Sequence, residues 1–277
     1  MQRTAEDEIS GRIKNDILYD VDNGLAWITI NRPERMNALR ARTVEELTWA
    51  LKRAWADEHV GVIALTGAGD RAFCAGGDQK QKAETGDYGP SESGLFEIEQ
   101  LQRVIREVPK PVIAAVNGAA IGGGHVLHLI CDLSVAADHA RFGQTGPRVG
   151  SFDAGYGTGL LARTVGEKRA REIWFLCRQY DADTAERWGL VNRVVPAAEL
   201  RAAVREYADE IMVLSPTALR FLKHAFAADT EHLGGTGRLA FTGLWAFSET
   251  PEAHKGVEAF NEKRRPDFSP YRAAASV

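Results

Sequence analysis

Residues 110–132 read KPVIAAVNGAAIGGGHVLHLICD. Val112 to Val116 are apolar without alternation, between Pro111 and the turn-forming Asn117-Gly118. That pattern predicts a short strand buried on both faces. Gly122-Gly123-Gly124 then opens an apolar run of helical character, so the strand passes through glycine into a helix N-terminus. The first N–H groups of a helix lack intrahelical acceptors, and the helix dipole favours negative charge there. The same order occurs upstream, where VGVIALTG (60–67) reads as a buried strand and DRAFCAGGDQK (70–80) carries Ala75-Gly76-Gly77. Two N–H groups from separate loops converge on one oxygen only where the side chains are tiny. Such a pair stabilises an oxyanion, and losing one donor typically costs about 2.7–4 kcal/mol of transition-state stabilisation. Each cluster alone favours close helix–strand packing; paired at two strand ends, they favour an oxyanion hole.

Outward from this core, DILYDV and LAWITI flank DNG and predict a β-hairpin. NRPERMNALRA (31–41) is a loop. Thr43 and Glu46 have the T-x-x-E spacing of a capping box, opening a helix whose buried face is Val44, Leu47, Leu51 and Trp55. KAETGDYGPSESG (82–94) is a polar loop expected to be mobile. LFEIEQLQRVIREV is a helix, and LSVAADHARFG (133–143) a third strand. After Gly157 the chain reads as mostly helical. Strands alternating with helices predict an α/β fold with right-handed crossovers and a largely parallel sheet. The expected organisation is one core over residues 1–212, with a polar arm at about residues 1–14, and a C-terminal helical region over 213–277.

The composition excludes several classes of function. A net charge of −4 and a pI near 6.0 give no electrostatic footprint for nucleic acid. The basic EKRRPDF near the C-terminus is short enough to be a solvated tail. Cys74, Cys131 and Cys177 lie far apart without CxxC spacing, so neither disulfides nor structural zinc are expected, and a reducing cytoplasm fits. The N-terminus lacks the apolar stretch of a signal peptide, and no run approaches the roughly 18 apolar residues of a membrane span. Gly67-Ala68-Gly69 is not followed by the helix a dinucleotide fingerprint needs. His125 and His128 are spaced to share a metal, but their neighbours are apolar and no third ligand is evident, so they read as packed helix histidines. Ser151, in VGSFDAG, lacks the second glycine at the spacing a nucleophile elbow requires. FGQTGPRVGSFDAGYG (142–157) holds five glycines around one carboxylate, Asp153. Asp153 either caps the following helix or faces a ligand.

VGVIALTGAGDRAFCAGGDQK together with KPVIAAVNGAAIGGGHVLH resembles the crotonase (enoyl-CoA hydratase/isomerase) superfamily. FGQTGPRVGSFDAGYG with REIWFLCRQYDA is similar to its 1,4-dihydroxy-2-naphthoyl-CoA synthase branch. The resemblance covers roughly residues 15 to 272. It implies a spiral of ββα units, a C-terminal helical region that trimerises, and a homotrimer or homohexamer. It also implies a coenzyme A thioester substrate whose enolate oxygen is held by the Gly77 and Gly123 amides, with Arg40, Lys80 and Lys263 near the nucleotide. Hydratases of the family carry two glutamates where this chain has Val126 and Gly146, so plain hydration is not expected. In the bicarbonate-dependent type of the branch, a bound bicarbonate serves as base; the matching residues are Gln144, Gly146 and Trp174. The branch closes o-succinylbenzoyl-CoA to 1,4-dihydroxy-2-naphthoyl-CoA by attack of the enolate on the aromatic carboxyl carbon. The resemblance implies that Ser151 and Asp153 act on that carboxyl and that Tyr88 corresponds to a loop tyrosine that hydrogen-bonds the substrate. The branch adds a further tyrosine where this chain has Ser248. Alternatives are a ring-cleaving hydrolase of the 2-ketocyclohexanecarboxyl-CoA type, with the same glycine at 146 and aspartate at 153, and a non-catalytic acyl-CoA-binding member. No metal is expected.

Overall fold

The computed structural model describes residues 16–152 and 155–272. Strands β1 (Ile17–Asp22) and β2 (Leu25–Ile30) form the expected antiparallel hairpin, with Asp22 opposite Leu25. Asn23 and Gly24 both take positive φ (44° and 80°), the left-handed pair required by a tight two-residue turn. The chain continues through helix α1 (Ala41–Ala56), β3 (Val62–Gly67), β4 (Ala72–Cys74), α2 (Gln79–Thr85) and α3 (Ile98–Glu107). Next come β5 (Val112–Val116), β6 (Ala119–Ile121), α4 (Gly123–Ile130), β7 (Leu133–Ala137) and β8 (Arg141–Gly143). Beyond these lie α5 (Gly157–Val165), α6 (Glu167–Leu176), β9 (Gln179–Asp181), α7 (Ala182–Arg187), β10 (Arg193–Val195) and α8 (Leu200–Met212). Three helices follow: α9 (Pro216–Ala228), α10 (His232–Ser248) and α11 (Pro251–Asn261).

Two sheets share these strands. The larger has the order β1-β2-β3-β5-β7-β10 and is parallel from β2 onward; the smaller has the order β4-β6-β8-β9, with only β9 antiparallel. Each turn of the spiral thus gives one strand to the large sheet and the next to the small one. LSVAADHARFG is accordingly two strands in two sheets, not one, because the chain turns at Asp138–Ala140 between its apolar halves. β9 and β10 were not foreseen either; each is three residues long and too short for a clear period.

The large sheet is apolar on both faces because it is covered on both. Ile63, Leu65, Val112 and Ala114 pack into a core shared with Val44, Leu47 and Leu51 of α1. Val62, Ala64, Ile113 and Ala115, pointing the other way, meet Leu200, Ala203, Val204 and Ala208 of α8. Strand period two therefore sorts neighbouring residues into separate cores. The expected face of α1 holds at Val44, Leu47 and Leu51, but Trp55 is 41% exposed and Ala54 occupies the buried position instead.

The capping box also differs from its sequence reading. Arg40 is the cap residue and Thr43 stands at the third helical position, its hydroxyl 3.4 Å from the Arg40 N–H. Glu46 turns away from the helix and accepts from the Asp16 and Ile17 N–H groups, fixing the start of β1. Around this helix start lies a charge cluster: Arg40 forks onto both Asp16 oxygens (2.8 and 2.7 Å), and buried Arg32 reaches Asp78 at 2.8 Å. Burial alone raises the pKa of Asp16 and Asp78, but hydrogen bonds and the neighbouring guanidiniums outweigh it and hold both below 3.8. A carboxylate depressed in the folded state contributes stability above its unfolded pKa and loses it as pH falls through the folded value. Asp78→Asn should therefore lower stability at pH 7 by about 1.5–3 kcal/mol, since it takes one charged partner from buried Arg32, which keeps Asp16 at 3.7 Å and the Ala38 carbonyl. Its stability should also decline less steeply than the wild type below about pH 4, measured by urea unfolding at a series of pH values.

Candidate active site

The parallel strands β4, β6 and β8 end side by side, and their three C-terminal loops carry Gly76-Gly77, Gly122-Gly123 and Gln144–Phe152. Ligands of open α/β sheets characteristically bind outside such strand ends. Gly76 takes φ +86°, and a β-carbon there would lie 3.0 Å from both the Gly123 N and the Ile121 O. A β-carbon on Gly123 would be 3.9 Å from the Gly77 N. The two glycine loops are thus in backbone contact. Gly77 bridges to Leu39 through the Gly76 carbonyl and the Asp78 N–H, a pattern that turns its own N–H away. Gly123 is the first residue of α4, so its N–H has no intrahelical acceptor. Neither amide donates to another group among the described residues. Gly124 serves packing instead, since a β-carbon there would overlap the Cys74 carbonyl of β4. Gly124 thus fits the packing reading, while Gly77 and Gly123 keep amides without an acceptor among the described residues.

Tyr88 joins this pair. A β-carbon on Gly77 would come within 2.7 Å of the Tyr88 Cε1 and 2.8 Å of its hydroxyl, so the phenol lies against the Gly77 α-carbon. Its ring stacks on Phe96 with centroids 4.3 Å apart, and burial raises the phenol pKa, keeping it a hydrogen-bond donor at neutral pH. The loop expected to be mobile is therefore structured: it opens with α2, and the Ala41 N–H fixes the Tyr88 carbonyl at 2.8 Å. Beside Tyr88 opens a cavity of about 540 Å³ between α2, the start of α3, and α10. Phe96, Ile98, Phe241, Leu244 and Trp245 give it an apolar wall, and Lys82 is a cation on its rim. Sequence reading missed Phe241 and Trp245; their four-residue spacing on one helix was the available signal.

The other expected site residues are distributed less simply. Asp153 lies outside the described residues. The cap position of α5 belongs to Tyr156, without a side-chain cap. Ser151 donates its N–H to the Gly146 carbonyl at 2.9 Å, closing a short 3-10 turn over Gly146–Val149. That turn fills the space beside Gly146: a β-carbon there would meet the Ser151 carbonyl at 3.1 Å and the Phe152 Cα at 3.4 Å. Gln144 is buried and gives its amide N–H to His125 Nδ1 at 3.2 Å. Trp174, on α6 packed against this turn, has a buried indole N–H with no acceptor among the described residues. One free donor beside an occupied space is not a cradle for bicarbonate, so the room expected at Gly146 is absent here. Arg40 is committed to Asp16, whereas Lys80 and Lys263 are solvent-exposed. The Ser248 hydroxyl lines the cavity and donates to the Trp245 carbonyl at 2.8 Å. His125 and His128 are fully buried, edge to face at 4.9 Å, and burial pushes His125 down to about 3. They are packed neutral histidines, and no third ligand joins them among the described residues.

The family model described as enoyl-CoA hydratase/isomerase matches residues 20–270. The chain belongs to this crotonase family. Among solved structures, an enoyl-CoA hydratase/isomerase from Pseudoalteromonas atlantica T6c superposes with a TM-score of 0.83 at 29% identity, covering 92% of this chain and 100% of that one. An enoyl-CoA hydratase from Bacillus anthracis is 33% identical, with a TM-score of 0.72 and coverage of 91% and 98%. A carnitinyl-CoA hydratase from Mycobacterium avium gives 0.80 at 29% identity, covering 93% and 100%. The crotonase fold is thus shared along nearly the whole chain, and the protein is an acyl-CoA enzyme of that family. No helix among the described residues is long and apolar enough to cross a membrane.

Proposed function

We propose that this crotonase performs carbon–carbon bond chemistry on a thioester enolate, closing o-succinylbenzoyl-CoA to 1,4-dihydroxy-2-naphthoyl-CoA. One observation carries the reading: the two glycine amides are paired and free, while both carboxylate positions of a hydratase are apolar. Val126 is 4% exposed inside α4, and Gly146 is packed beneath its own turn. An enolate can be held here, but positions 126 and 146 supply no carboxylate pair to add water across a double bond.

In the proposed reaction a small solvent-borne base takes an α-proton from the thioester, that proton leaving later with the expelled water. The oxygen charge rests on the Gly77 and Gly123 amides, with the Tyr88 phenol beside them. The enolate carbon then attacks the aromatic carboxyl carbon, a carbon–carbon bond forms, and the tetrahedral centre expels water. Tautomerisation leaves the dihydroxynaphthoyl ring. The attacked carboxyl must be neutral, which requires a proton donor. We assign that role to Asp153, with Ser151 orienting it. The aromatic wall of the cavity suits a fused-ring product. Arg40, Lys80 and Lys263 are assigned to the phosphates and adenine of CoA. No step is routed through bicarbonate.

The same assignment treats residues 213–277 as a helical cover and assembly region. Val213, Leu214, Phe221, Leu222 and Phe226 are 53–84% exposed, an apolar surface suited to the family's homotrimer or dimer of trimers. A second reading, ring-cleaving hydrolysis of a 2-ketocyclohexanecarboxyl-CoA, is favoured by one feature: Ser248, turned onto Trp245, supplies no phenol to the cavity. Mass spectrometry after incubation with each ester separates the two. Closure gives a product lighter by one water from the first ester. Consumption of the second alone, with gain of one water, overturns the proposal. The same assay in carbon-dioxide-free buffer should run at an unchanged rate; a tenfold loss would mean that the 146–152 turn opens to admit the ion.

A further inference from the structure

Tyr88 sits in a segment with little intrinsic reason to be ordered. Residues 86–94, GDYGPSESG, contain three glycines and a proline, and such a sequence loses much backbone freedom on folding. The segment is nonetheless tied down at both ends. On one side, the Asp87 carboxylate accepts from the Gly89 N–H and the Thr85 hydroxyl, each at 2.8 Å. On the other, Glu45 of α1 reaches across. One of its oxygens accepts from the Glu92 N–H at 2.9 Å, and the other from Glu92 at 3.1 Å and Ser93 at 3.2 Å. Between these ties, the Ala41 N–H at the start of the same helix holds the Tyr88 carbonyl.

We propose that Glu45 is a positioning residue that orders the Tyr88 loop before substrate arrives, by gripping two consecutive backbone N–H groups four residues past the tyrosine. A carboxylate is suited to this, since one group satisfies both donors and hydrogen bonds to a charged acceptor are stronger than neutral ones. Glu45 lies one residue before buried Glu46, which pins β1, so α1 anchors the active-site loop with one glutamate and the hairpin with the next. With the grip removed, the loop samples open states, and ligand affinity falls by the fraction of closed molecules. The consequence for catalysis rests on the role assigned to Tyr88 above; the ordering of the loop does not.

The test compares Glu45→Ala and Glu45→Gln with the wild type. Amide hydrogen exchange of residues 86–95 in the ligand-free protein should rise about tenfold in Glu45→Ala, with exchange in β3 and β5 unchanged. Glu45→Gln keeps one acceptor oxygen and should fall between. Binding of benzoyl-CoA should weaken about tenfold in Glu45→Ala, and turnover of the true substrate should show raised KM with kcat within about twofold. Wild-type protection of 86–95 in Glu45→Ala overturns the proposal. So does faster exchange with unchanged benzoyl-CoA affinity. A wild type that exchanges as expected but closes no ring refutes the assigned reaction and leaves the loop assignment standing.

Discussion

Asp153→Asn should fold normally and lose turnover by about two to four orders of magnitude, the range expected when a proton donor is removed from a reacting group. The chemistry demands such a donor. An enolate does not attack an ionised carboxylate, so the second carboxyl must be held neutral and its departing oxygen must leave as water. Asparagine keeps the size and most of the hydrogen bonding of aspartate but has no proton to hand over. The stretch 142–157 offers no other carboxylate. Affinity for benzoyl-CoA should stay within about threefold, because thioester binding precedes the proton transfer. A variant retaining near-normal turnover would remove Asp153 from the mechanism.

Gly76→Ala should lower kcat by about 10²–10³ without abolishing folding. The added methyl would stand 3.0 Å from the Gly123 N and the Ile121 O. Both are backbone atoms, so neither can swing aside, and the two glycine loops must separate. The oxyanion hole proposed for the Gly77 and Gly123 amides would then be lost, and the loss should approach that of an oxyanion donor. Backbone strain at φ +86° adds about 1–2 kcal/mol of destabilisation. Gly166→Ala separates these effects, because Gly166 has φ +83° with nothing within 4 Å of its added methyl. It should show the strain and a normal kcat. Equal kcat in Gly76→Ala and wild type would mean that the paired amides do not hold the developing charge.

Local chemistry made part of this molecule legible. Asn23-Gly24 names a tight hairpin turn because few residues tolerate positive φ twice in succession. Residues 62–65 and 112–116 are apolar throughout because each strand is covered on both faces, one by α1 and one by α8. Glycine at two strand ends pointed to free amides, and the structure brings those loops into contact. By contrast, LSVAADHARFG has one apolar character and two destinations, since the turn at Asp138–Ala140 is set by which sheet edge each half reaches.

The sequence by itself determined the strand–glycine–helix grammar of the core, the hairpin, and the lack of glutamate at 126 and 146, because these depend on residue type and near neighbours. Tertiary structure decided what the glycines are for. Gly124 packs on Cys74, Gly76 abuts Gly123, and Gly146 is covered by Ser151 and Phe152. It likewise decided that Thr43 answers to Arg40, that Glu46 serves β1, and that Glu45 serves the Tyr88 loop. Most of these outcomes depend on atoms brought together from distant parts of the chain. A glycine or a glutamate looks the same in sequence whichever distant group the fold sets against it.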